Sequence, residues 1–71
     1  MKSLFRGAFN YRQSSKVMYA YAHTERQAWF VFCQRLAKKD GVSPSMVMGL
    51  FDGTRANYEI TIEMEMRETD K

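Results

Sequence analysis

The chain has 71 residues, 45% of them hydrophobic and 27% charged, with a net charge of +3. That length allows one domain around one small core, and that balance belongs to a folded domain rather than a disordered one. The single cysteine, Cys33, excludes an intramolecular disulfide, no Cys/His cluster offers metal ligands, and no apolar run approaches the ~20 residues that span a bilayer. No metal, cofactor or membrane is therefore expected. The segment from Met1 to Gly7 reaches Arg6 before a hydrophobic region develops, which predicts no secretory signal and a cytoplasmic protein.

Charge is unevenly placed. From Met1 to Lys39 eight basic residues face the single acid Glu25, a net of +7. From Asp40 to Lys71 seven acids face three bases, a net of −4. Such asymmetry suits a polyanionic partner or self-association, or two halves that neutralise each other within one sheet.

Ser3 to Tyr11 reads as a first strand, with Phe5, Gly7, Phe9 and Tyr11 on one parity. The polar break Arg12-Gln13-Ser14-Ser15 predicts a hairpin. It has no Asn-Gly or Asp-Gly pair, so a four- or five-residue loop is expected over a tight primed turn. Lys16 to His23 reads as the second strand. Thr24-Glu25-Arg26-Gln27 is a capping box, in which the Thr24 hydroxyl accepts from the Gln27 amide and the Gln27 side chain returns to the Thr24 amide. A long helix follows to Lys39, with Gly41 as its stop and Ala28, Trp29, Phe32, Cys33 and Leu36 as its apolar stripe. Ser43-Pro44 opens a short second helix that covers Phe30 and Val31, and Asp52-Gly53 ends it. Tyr58 to Arg67 alternates without a slip, predicting a last strand with Tyr58, Ile60, Ile62, Met64 and Met66 on its dry face. Residues 68–71 are expected to fray.

The order β-β-α-α-β predicts a single two-layer α+β domain over residues 1–71. Its three-stranded antiparallel sheet has the order 2-1-3, with one long and one short helix on one face. A crossover that sets the last strand parallel to the second is the alternative. Met18, Ala20 and Ala22 are placed inward because the helix starts close by. Phe5, Gly7 and Phe9 are also placed inward, with Gly7 making room for Trp29. The open face then carries Arg6, Ala8, Asn10, Tyr19, Tyr21, Glu59, Thr61, Glu63 and Glu65. A one-residue slip would exchange these faces.

No catalytic constellation is present. His23 has no nucleophile near it in the pattern, Cys33 sits mid-helix among apolar residues, and Glu59, Glu63 and Glu65 read as a solvated strand face. The expectation is a non-catalytic binding module acting on nucleic acid or on a nucleic-acid-handling complex. Its residues are Arg6, Arg12, Lys16, Tyr19, Tyr21, Arg26, Arg35, Lys38 and Lys39: rings that can stack unpaired bases and cations that can hold phosphates. The alternative is a protein-interaction or inhibitor module, a homo-oligomer included, that uses Phe30, Met46, Met48, Leu50 and Phe51. In size and element order the chain resembles small accessory proteins of phages and mobile elements. Some of those, anti-CRISPR proteins among them, block host nucleic-acid-handling machinery. That resemblance favours the inhibitor alternative and carries over no residue.

Overall fold

Lys2–Tyr11 form β1 and Ser14–Ala22 form β2, joined by Arg12 and Gln13 alone. This computed structural model describes residues 2–66, with only the backbone for Glu65 and Met66. The expectations for the side chains of Glu65 and Met66, for Arg67 and for 68–71 lie outside the described residues.

The hairpin corrects the expected longer loop. Arg12 and Gln13 have φ of 53° and 62°, the paired positive values of a primed two-residue turn, which matches the twist of its strands. Non-glycine residues pay for this conformation, and distant contacts offset the cost here. The Arg12 guanidinium lies 2.8 Å from an Asp40 carboxylate oxygen, and the Tyr11 hydroxyl donates to the same oxygen at 2.8 Å. The hairpin tip is thus tied to the end of the long helix. Gln13 makes no such contact. Gln13→Gly is therefore expected to stabilise the fold by about 0.5–1 kcal/mol, read as a higher urea midpoint at unchanged slope.

Helix α1 (Glu25–Asp40) begins as its capping residues require. The Thr24 hydroxyl accepts from the Gln27 amide at 3.1 Å. The Gln27 side chain accepts from the amide of His23 at 2.9 Å, one residue earlier than expected. Gly41, at φ 72°, ends the helix. Its own amide and that of Val42 close back on the carbonyls of Lys38 and Ala37, satisfying oxygens the helix leaves open. Ala28, Phe32, Cys33, Leu36 and Ala37 are buried.

Helix α2 (Pro44–Leu50) has Ser43 at its N-cap and proline at its start, but the serine hydroxyl caps no amide. Seven residues are too few to hold themselves. The helix is kept by Val47 and Phe51 in the core. The Trp29 indole N–H donates to the Phe51 carbonyl at 2.9 Å, and the Asn57 side-chain amide donates to the Leu50 carbonyl at 2.8 Å. The Asp52 carboxyl after it is held below its ordinary range by bonds from the Thr54 hydroxyl and then the Thr54 amide. Phe30, which α2 was expected to cover, stays exposed, and Val31 is half-buried.

β3 (Tyr58–Met66) pairs antiparallel with β1, so the sheet order is β2-β1-β3 and the crossover alternative is excluded. Phe5, Gly7 and Phe9 face the helices as expected, with Ala20 and Ala22 beside them. The core centre is aromatic. Phe9 meets Phe51 edge-on at 4.9 Å, Phe32 edge-on at 5.7 Å and Tyr58 stacked at 5.3 Å. Gly7 makes room for Phe32, not for Trp29 as expected. A Cβ there would lie 2.6 Å from the Phe32 ring.

The last strand departs from its unbroken alternation. Phe5 pairs with Ile62 and Leu4 with Met64, so Glu63 has no partner on β1. That bulge carries Met64 to Leu4's side of the sheet, where it is 55% exposed. Ile62 precedes the bulge and is still 53% exposed, because α1 lies mainly along β2 and makes less contact with β3. The expected dry face therefore holds for Tyr58 and Ile60 and fails for Ile62 and Met64.

Candidate nucleic-acid interface

The side of the sheet away from the helices is uncovered. Arg6 stands at its centre, paired with Tyr19 on β2 and Thr61 on β3. Tyr21 pairs with Leu4, and Val17 with Ala8. Tyr19 and Tyr21 are 47% and 56% exposed. Val17 shares their parity and is also exposed, and the same alternation that placed the tyrosines would have found it. Glu59 pairs with Ala8 from the β3 side. Among the described residues no ion pair joins Arg6 to Glu59 or Glu63, and the one pair formed is Arg12–Asp40.

The other basic residues divide by element. Lys16 pairs with Phe9, so it lies on the helix side of β2 rather than with the tyrosines. There it shares with Lys39 a shallow hollow of about 250 Å³ that Tyr11, Arg12, Leu36 and Asp40 also line. Arg35 lies one helical turn before Lys39, on the same face of α1. Its guanidinium donates to the backbone carbonyl of Tyr19, reaching the outer edge of β2. Arg35, Lys39 and Lys16 therefore form one rim where α1 meets β2, with Lys38 exposed next to it and Arg12 at the end of the rim, paired with Asp40. Tyr19 and Tyr21 lie around the corner of the same strand. The exposed acids Glu59 and Glu63 belong to β3, two strands away.

Arg26 is not part of this rim. Its guanidinium lies 6.0 Å from the centre of the Trp29 ring. It borders a groove of about 520 Å³ whose floor is Trp29, Phe51, Tyr58 and Ile60. The residues expected to bind protein also divide. Phe30, Met46 and Leu50 are exposed, Met48 is partly buried against the core, and Phe51 is buried within it. Phe30 borders an open hollow that Tyr21 also lines, whereas Met46 and Leu50 border a hollow with Arg12 and Arg55, so they form two surfaces rather than one.

Burial pushes the Cys33 thiol up to about 11, so it is protonated and inert at neutral pH. His23 is exposed, and its backbone amide serves the helix cap. Among the described residues no three His, Cys, Asp or Glu side chains gather as a metal would require, and no helix is long and apolar enough to cross a membrane. Compared with known proteins, the chain matches no family model, no curated protein and no solved structure.

Proposed function

We propose that this domain is a non-catalytic binding module for nucleic acid, acting directly or within a nucleic-acid-handling complex, and that the α1–β2 rim is its phosphate-binding edge. The observation that carries this reading is the convergence of Lys16, Arg35 and Lys39 from two elements onto one edge, beside exposed Tyr19 and Tyr21. Of the acids that weigh against phosphate binding, Asp40 lines the rim but is engaged by Arg12 and Tyr11, and Glu59 and Glu63 belong to the strand at the far edge. A phosphodiester chain approaching from the β2 side meets cations first, and the gain comes from releasing its counterions.

The test is fluorescence anisotropy with mixed-sequence single-stranded and duplex DNA and RNA at two salt concentrations. Binding at low salt that weakens steeply at the higher salt is expected. No binding to any of them at low salt contradicts the reading.

A second reading, a protein-interaction or inhibitor module, is favoured by the exposed side chains of Phe30, Met46 and Leu50. It predicts a mass above that of one chain by light scattering, or capture of a protein partner that Met46→Lys and Leu50→Lys abolish.

A further inference from the structure

We propose that the nucleic acid is single-stranded, with two successive bases stacked on Tyr19 and Tyr21 while the α1–β2 rim holds its phosphates. This rests on the nucleic-acid reading above and adds the strandedness and the way the bases are held.

The first ground is the state of the two rings. Tyr11 is buried and its hydroxyl is bonded to Asp40, and Tyr58 is packed against Phe9 and Phe51. Those two tyrosines are structural. Tyr19 and Tyr21 are the exposed pair, and among the described residues their side chains make no hydrogen bond and no ring contact. Both lie on the one strand that borders the basic rim.

The second ground is spacing. Two residues along a strand are about 6.6–6.8 Å apart, with side chains on the same face. Neighbouring bases in a duplex strand rise only about 3.4 Å. Bases placed on both rings must therefore be drawn apart from each other and from any complementary strand. An extended single strand does this readily, and a duplex does not without losing its own stacking.

The third ground is where the cations stand relative to the rings. Arg35 is fixed beside Tyr19 by its bond to that residue's carbonyl, and its guanidinium retains donors for a phosphate. On the other side of Tyr19, half-buried Arg6 is its cross-strand partner and has no carboxylate paired with it among the described residues. A planar cation there suits the edge or face of a base. Glu59 stands beyond Arg6, opposite Ala8, and its charge keeps phosphates off the β3 side. The track that remains runs along β2.

The experiment titrates a labelled mixed-sequence 12-nucleotide single strand and its duplex against the wild type and four variants. These are Tyr19→Ala, Tyr21→Ala, the double Tyr19→Phe/Tyr21→Phe, and Lys16→Gln/Lys39→Gln. Circular dichroism confirms that each variant folds, as substitution of exposed Tyr19, Tyr21 and Lys39 and half-buried Lys16 should allow. The wild type should bind the single strand more tightly than the duplex. Each Tyr→Ala change should weaken single-strand binding by about five- to 150-fold and leave duplex binding nearly unchanged, and the phenylalanine double variant should retain most of the affinity. The lysine double variant should weaken both ligands. Duplex binding as tight as single-strand binding, or alanine variants that bind like the wild type, would overturn the stacking proposal and leave the rim reading standing. No binding of either ligand by the wild type at low salt removes both, and leaves the sheet face to a protein partner.

Discussion

Phe9→Ala is expected to cost about 3–5 kcal/mol of folding stability. A chain of this length has roughly 4–11 kcal/mol in total at typical values per residue, so the variant should lose from about a quarter to all of its stability. The reason is position. Phe9 is fully buried on the central strand. Its ring meets Phe32 from α1, Phe51 from the end of α2 and Tyr58 from β3. One side chain thus joins four of the five elements, and removing it leaves a cavity bounded by aromatic rings too large to close over it. Urea unfolding followed by circular dichroism and by tyrosine and tryptophan fluorescence measures the effect. The two probes should coincide in the wild type, and the midpoint should fall sharply in the variant. A loss below about 1 kcal/mol would mean that the elements are held together elsewhere.

Gly7→Ala is expected to destabilise by about 1–3 kcal/mol, although alanine suits a strand better than glycine. The added methyl would lie 2.6 and 2.7 Å from two carbons of the Phe32 ring and 2.9 Å from one of Phe9. Both rings are fully buried, and neither can withdraw without pushing on its neighbours. In a domain this small, each kcal/mol lowers the melting temperature by about 4–8 °C. The pair Gly7→Ala/Phe32→Leu separates contact from propensity. The smaller side chain makes room for the methyl, so the double variant should be more stable than the sum of the single losses predicts. Additive losses would show that the cost of Gly7→Ala does not arise at Phe32.

The elements and their order were legible in local chemistry: alternation for the strands, Thr24 to Gln27 for the start of α1, Gly41 for its end. The departures have distant causes. Nothing in Arg12-Gln13 announces a primed turn, because part of what holds it is a carboxylate on Asp40, which Tyr11 reaches across 29 positions. The bulge at Glu63 is invisible because the polar–apolar pattern runs straight through it, while the register with Leu4 and Phe5 changes. Gly7 could be read as a close approach, but the ring that approaches depends on how α1 is rotated on the sheet.

The candidate interface was legible to a similar degree. Tyr19 and Tyr21 were placed outward by the small residues that alternate with them, and they are outward. The excess of basic residues before Asp40 was plain from counting. Its division into a rim, a central Arg6 and a separate Arg26 was not, since that follows from α1 lying along β2. Lys16 could have been placed on the helix side from its parity with Met18 and Ala20.

The most direct test of the rim is the dependence of single-strand affinity on salt, compared between the wild type and Lys16→Gln/Lys39→Gln. Each phosphate contact contributes about −0.7 to the slope of log K against log salt for a single strand. The predicted result is a clearly negative wild-type slope that becomes shallower by about 1.4 in the double variant, with the fold intact by circular dichroism. A wild-type slope near zero, or the same slope in both proteins, would contradict phosphate binding where α1 meets β2.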